Sequence, residues 1–189
     1  GAFAKSPRYQ GRGSSHINAW RVTSALQAAS DAGWKVEYTP GYDLVSGDAS
    51  KEQIHEAAAL ARRCEAAVVF VGLPDAYETE GADRRSLAMP AGHNALVEAV
   101  CAANPNTVVV LYNGGPVELP WAERPKAILE GYLGGEAVGC ATVDVLLGRV
   151  SPSGHLPETF PLRLQDTPGY LYYPGEDGQV DYREGVFIG

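Results

Sequence analysis

Ala66-Ala-Val-Val-Phe-Val-Gly72 is an unbroken apolar run, rich in β-branched residues, that hands the chain to Leu73-Pro74 and then to a strongly polar segment. A half-buried strand alternates apolar and polar side chains, whereas a strand apolar on every residue is covered on both faces, the condition of a parallel sheet layered between helices. Thr107-Val-Val-Val-Leu-Tyr112 repeats the pattern, and Ala127-Ile-Leu-Glu-Gly-Tyr-Leu133 reads as a further strand. Lys35 to Tyr38 reads as a fourth.

Helical signals fill the intervals. Asn18 is a candidate cap for a helix through about Asp31, with Val22, Ala25, Leu26 and Ala29 on one face and Gly33 as the stop. Ser50-Lys-Glu-Gln53 is a capping box, in which hydroxyl and amide satisfy each other's backbone N–H. Pro90 suits the first turn of a helix to about Ala103, ended by Asn104-Pro-Asn106. Gly134-Gly135 opens a last helix through Leu147 that Gly148 terminates. The alternation predicts an α/β fold, a three-layer α/β/α sandwich with a mostly parallel, flavodoxin-like sheet. From Ser151 the pattern gives way to a Tyr- and Pro-rich tail, with Tyr170, Tyr172, Tyr173 and Tyr182 and no helical period, that wraps the domain or meets a neighbour.

The chain of 189 residues, 45% hydrophobic and 20% charged, holds one well-filled domain or most of one. A net charge of -8 without a basic cluster argues against nucleic acid or an anionic membrane as partner. No apolar run reaches the roughly 20 residues of a membrane span, and no basic-then-apolar leader opens the sequence. Cys64, Cys101 and Cys140 are odd in number, lack metal spacing and read as small buried hydrophobes. That usage favours a reducing, cytoplasmic compartment, with secretion as the alternative. The apolar stretches at both ends suggest a piece of a longer protein.

In open parallel sheets, loops leaving the carboxyl ends of strands line the ligand crevice. Asp75-Ala-Tyr-Glu-Thr-Glu80-Gly-Ala-Asp83-Arg84-Arg-Ser-Leu-Ala-Met-Pro90 is such a loop, and it concentrates carboxylates and arginine. Gly11-Arg-Gly13-Ser14-Ser15-His16 is expected at the same edge, so that Gly13 and Ser14 face Glu78, Glu80, Asp83 and Arg84. Donors and acceptors so mixed suit a carbohydrate. The plainer alternative is that Glu80 is a solvated carboxylate paired with Arg84 or Arg85, and that Asp83-Arg84 is a structural ion pair. The glycines would also admit a nucleotide, although His16 stands where a dinucleotide fingerprint needs glycine and no Walker A sequence exists. His16, His55, His93 and His155 show no ligand or triad spacing and read mostly as surface or capping residues. No G-x-S-x-G elbow is present.

Thr79-Glu80-Gly-Ala-Asp83-Arg84, Met89-Pro90, Asn113-Gly-Gly-Pro-Val-Glu-Leu-Pro-Trp121, Gly134-Gly135, Pro152-Ser-Gly-His-Leu-Pro-Glu-Thr-Phe-Pro161 and Val180-Asp-Tyr182-Arg-Glu-Gly-Val-Phe-Ile-Gly189 occur in this order. Together they resemble the carboxyl-terminal α/β-sandwich domain of glycoside hydrolase family 3, β-glucosidase branch, over nearly the whole chain. The resemblance implies a retaining exo-acting enzyme that removes terminal β-D-glucosyl residues from β-glucosides or short oligosaccharides. It places the nucleophilic aspartate on a barrel domain not found in these 189 residues and makes Glu80 the general acid/base. It also makes Gly13 and Ser14 sugar contacts and Asp83 and Arg84 supports of the loop. It implies no metal and no cofactor, a first strand truncated ahead of Gly1, and a barrel domain or second copy as protein partner. A stand-alone sugar-binding or scaffolding module and a flavodoxin-like nucleotide domain are the alternatives.

Overall fold

The computed structural model describes residues 1–187. Among the described residues three strands, β1 (Ala67–Gly72), β2 (Thr107–Tyr112) and β3 (Ala127–Glu130), lie in that order. All pair in parallel, Ala67 opposite Thr107 and Val108 opposite Ala127. Helices α1 (Ala25–Asp31) and α4 (Val138–Leu146) pack together, as do α2 (Lys51–Arg62) and α3 (Ala91–Ala103), giving the expected three-layer sandwich. Val69, Val71, Val109, Val110 and Leu111 are fully or almost fully buried between the layers, as both-face apolar strands require. Trp121 closes the core, its indole N–H donating to Asn94 Oδ1 at 2.8 Å.

The capping box of α2 forms as predicted: Ser50 Oγ accepts from Gln53 N, and Ser50 N donates to Gln53 Oε1. Asn104 does more than end α3. Its Nδ2 donates to the carbonyls of Ala61 and Cys64, both at 2.9 Å, and so fastens the end of α2 to the start of β2.

Several expectations are corrected. The first helix begins at Ala25, capped by Ser24 rather than Asn18. Residues 18–23 are held out of helix because Thr23 serves α4 instead. Thr23 N donates to Glu136 O at 2.8 Å, and Thr23 Oγ1 accepts from Gly139 N and Cys140 N, two amides at the start of α4 that have no partner within the helix. Gly139 permits this approach, since a Cβ there would lie 2.3 Å from the Ser24 carbonyl carbon. Lys35 to Tyr38 forms no strand; a cavity separates it from β1, and a strand exists only where a neighbour pairs with it. The last strand stops at Glu130 rather than Leu133 because Tyr132 turns into the left-handed region, φ 46°.

His16, His55 and His155 are exposed, but His93 is fully buried, its Nδ1 2.9 Å from Gly72 O, and burial lowers its pKa to about 4. Cys64 and Cys101 are half-buried free thiols, whereas Cys140 is exposed rather than buried. The tail beyond Ser151 contains only one short 3-10 turn among the described residues. It folds back on the domain where Phe160 packs on Tyr132, where Leu164 N donates to Glu118 Oε1, and where the Tyr173 hydroxyl donates to Asp83. Among the described residues no helix is long and apolar enough to cross a membrane.

Candidate active site

The carboxyl ends of the three strands open on one edge of the sheet, and the loops after them meet there. Leu73 leads into a 3-10 turn at Asp75–Tyr77 and then to Glu78, whose side chain is 15% exposed. Glu78 binds Arg8 through a short ion pair, accepts from Gly114 N at 2.7 Å, and lies 3.5 Å from Arg84 Nη1. Arg8 is buried; its Nη1 also donates to Leu73 O at 3.0 Å, and its Nε lies 3.3 Å from Asp75 as a charge contact without hydrogen-bond geometry. One carboxylate therefore fixes the amino-terminal loop, the loop after β1 and the loop after β2 to one another.

Two residues on, Glu80 is exposed. Its Oε2 accepts from Ser14 N at 2.5 Å, so loops 8–16 and 74–89 share the edge as expected. The bond from the Ser14 backbone, with the Ser14 side chain adding to it, holds the Glu80 carboxyl below the usual carboxylate range. Gly13, at φ 95°, makes room for it, since a Cβ there would sit 2.5 Å from both Glu80 Cβ and Oε2.

The other anticipated residues divide differently from expectation. Glu80 is paired with neither Arg84 nor Arg85 but with a backbone amide. Arg84 does not pair with Asp83; it turns to Glu78 and donates to Pro116 O at 2.9 Å. Asp83 accepts a short hydrogen bond from the Tyr173 hydroxyl, which ties the tail to the loop. The Gly11–Ser15 turn abuts Glu80 and not a helix N-terminus, because α1 starts only at Ala25, so it lacks the dipole end that would hold a phosphate.

Two residues of this edge escape sequence reading. Arg8 precedes the glycine loop as an unremarkable cation, and only the four carboxylates of loop 75–83, expected at the same edge, hint at its use. Glu130 ends β3, half-buried beneath the edge, with Oε1 accepting from Tyr132 N at 2.8 Å and Oε2 3.3 Å from Asn113 Nδ2. Burial raises its pKa to about 7, with the Glu78 charge adding to the rise.

That shift carries a test. Glu130 keeps its proton in the folded state at pH values where the unfolded chain has lost it. Its contribution to stability is therefore full below the unfolded value of 4.5 and disappears as the pH rises through about 7. The unfolding free energy from urea titrations is expected to fall between pH 4.5 and 7 in the native chain relative to Glu130→Gln by on the order of 2–3 kcal/mol. His93 titrates with the opposite sign but is present in both chains and cancels. Parallel curves would mean that Glu130 is ionised throughout.

Among the described residues no group of three or more His, Cys, Asp or Glu side chains is placed to hold a metal ion. What this edge offers is an accessible carboxylate, Glu80, with backbone amides and Ser14 beside it, on a loop anchored through Glu78; Asp75 and Asp83 are exposed on the same loop, Asp75 against Arg8 and Asp83 against Tyr173.

The chain is 50% identical over its whole length to the thermostable β-glucosidase B of Acetivibrio thermocellus and 47% identical to an exo-α-(1→6)-L-arabinopyranosidase of Bifidobacterium longum, and spans 25% of each. It superposes over its full length on the crystal structure of a Bifidobacterium adolescentis GH3 β-glucosidase with a TM-score of 0.92 at 46% identity, covering 28% of that chain. The model of the glycosyl hydrolase family 3 C-terminal domain matches residues 1–189. The chain thus belongs to the glycosyl hydrolase family 3 C-terminal domain family.

Proposed function

We propose that residues 1–189 are the C-terminal domain of a retaining exo-acting β-glucosidase and supply its general acid/base, Glu80, to a sugar held by a barrel domain that carries the nucleophilic aspartate. The observation that carries this reading is the contrast between Glu78 and Glu80: the first is locked by Arg8, Gly114 and Arg84, and the second, two residues later, is exposed on the loop so fixed. A carboxyl group held in place yet open to solvent is what a second domain can use across an interface. Gly13 and Ser14 line the sugar side of the same edge, and Asp83 and Arg84 hold the loop. The curated relatives, a β-glucosidase and an arabinopyranosidase, are matched over only 25% of their length, and in this reading the choice of sugar belongs to the barrel. The acid/base acts on the leaving oxygen, which both substrates share in kind.

The chemistry has two halves. Glu80 protonates the glycosidic oxygen while the aspartate attacks the anomeric carbon, and the resulting carboxylate then takes a proton from the water that releases the sugar. Glu80 must begin protonated, but the Ser14 amide holds it below the usual range. A second carboxylate about 5–5.5 Å away, in a site closed to water, reverses that bias. The domain by itself therefore has its acid in the wrong protonation state as well as no nucleophile.

Hydrolysis of an aryl β-glucoside checks the proposal. This chain alone is expected to give no turnover above background, and mixing it with a separately produced family barrel domain is expected to restore it. Robust turnover by the pure chain would sink the division of labour.

A further inference from the structure

Loop 74–89 has a firm base and an open tip. Glu78 and Arg84 form the base, paired with each other and bonded to the loop after β2 through Gly114 N and Pro116 O. Residues 79–83 between them make a tight turn, closed by the antiparallel bridge of Thr79 with Ala82, and Glu80 to Asp83 are all exposed. Among the described residues two hydrogen bonds tie this tip to the remainder of the domain: Ser14 N to Glu80 Oε2, and the Tyr173 hydroxyl to Asp83 Oδ2. The first cannot hold unchanged through the proposed reaction. The Ser14 amide favours the charged carboxylate, so the bond weakens when Glu80 takes up the proton it must deliver. The hold on the tip then passes to Asp83 and Tyr173.

Tyr173 belongs to the tail, yet its seat is built on the same loop. Glu118 N donates to Leu87 O at 2.9 Å, on the limb that leaves the tip, and Glu118 Oε1 accepts from Leu164 N at 3.1 Å. From Leu164 the tail advances through two closed turns, Thr167 Oγ1 donating to Leu164 O at 2.8 Å and Tyr173 N to Gly169 O at 2.9 Å, and arrives at Asp83. Residues 164–173 are thus a strap fastened at both ends to one loop, through Glu118 to its outgoing limb and through Tyr173 to its tip. We infer that this strap positions the acid/base, with Tyr173 the positioning residue that holds the tip while Glu80 gives and takes its proton. Tyr173 acts through Asp83 and not on the substrate. The inference rests on the glycosidase reading for what the tip does, and on the tail contacts alone for how the tip is held. The bond to Asp83 also raises the pKa of the Tyr173 hydroxyl, so the donor is present throughout the neutral range.

Tyr173→Phe keeps the ring and removes the bond, and it is read in two ways. In the chain as it stands, trypsin cleavage after Arg84 and Arg85 is expected to quicken about fivefold, the change in open population that one hydrogen bond accounts for, while cleavage after Arg62 in α2 keeps its rate. In the barrel-containing enzyme, kcat/KM is expected to fall about tenfold on an alkyl β-glucoside and less than about twofold on a dinitrophenyl β-glucoside, because only the first leaving group needs the proton. A variant that had merely lost folded enzyme would lower both alike. Asp83→Ala should show the same dependence on the leaving group, and adding Tyr173→Phe to it should cost nothing further. Unchanged cleavage after Arg84 and Arg85, or equal losses on the two glucosides, would overturn the inference. Should Glu80→Gln show the dependence on the leaving group and Tyr173→Phe none, the strap falls and the glycosidase reading stands. Should Glu80→Gln itself show none, that reading falls, and the positioning of an acid/base by Tyr173 falls with it.

Discussion

If Glu80 is the acid/base of a barrel-containing β-glucosidase, as proposed, Glu80→Gln in that enzyme is expected to lower kcat on an alkyl or unactivated aryl β-glucoside by about 10²- to 10⁴-fold, the usual contribution of a positioned acid/base. The substitution is well suited to this site because Gln Oε1 can still accept from Ser14 N, so the loop keeps its anchor and the loss is read as chemistry. The size of the loss should depend on the leaving group. A nitrophenolate departs without a proton, so the first half-reaction is spared and the second becomes limiting, because no base activates water. Azide, an anionic nucleophile that needs no base, should then restore turnover and give the glycosyl azide as product. A loss below about tenfold on every substrate, or one that azide leaves unchanged, would remove Glu80 from both proton transfers.

Arg8→Met is expected to have the largest effect on stability of any change at the site edge. The Arg8 side chain is only 3% exposed and Glu78 15%, so removing the cation leaves a carboxylate with little water to turn to. Breaking a buried pair from one side costs about 3–5 kcal/mol. Arg84 at 3.5 Å and the Gly114 amide remain with Glu78, which places the expected loss near the lower end, about 3 kcal/mol, read as a shift of the urea midpoint at constant slope. The double substitution Arg8→Met with Glu78→Leu should recover part of it, since no charge is then stranded. A loss for Arg8→Met alone of under about 1 kcal/mol would show that Arg8 and Glu78 behave as a surface pair. In the barrel-containing enzyme the same change should lower kcat, because Glu78 fixes the loop from which Glu80 projects.

Much of the fold is legible in the chain because it rests on local signals. The runs 67–72 and 107–112 are strands on any reading, and Ser50 with Gln53 announces the start of α2 two ways at once. What sequence misses is settled by residues far away. Asn18 is as good a cap as Ser24, but Thr23 is committed to the amides of Gly139 and Cys140, and this decides where α1 can begin. Lys35 to Tyr38 has strand composition and no partner. Loop composition and family resemblance singled out Glu80, yet its partner is a backbone amide that no side-chain pattern can indicate. Arg8 and Glu130 went unnoticed because an arginine in a loop and a glutamate at a strand end are ordinary until burial gives them a role.

The parallel order of the sheet also bears on how the domain reaches this state. Ala67 pairs with Thr107 and Val108 with Ala127, while Thr23 reaches across to Glu136, so the contacts that define the fold join residues remote in sequence. Each requires closing a long stretch of chain before any pairing rewards it. Folding is then limited by conformational search and not by helix formation, on the order of milliseconds to seconds. Throughout that interval the apolar strands stand open to the same strands of other copies, and dilution rather than temperature becomes the condition that most favours a good yield on refolding.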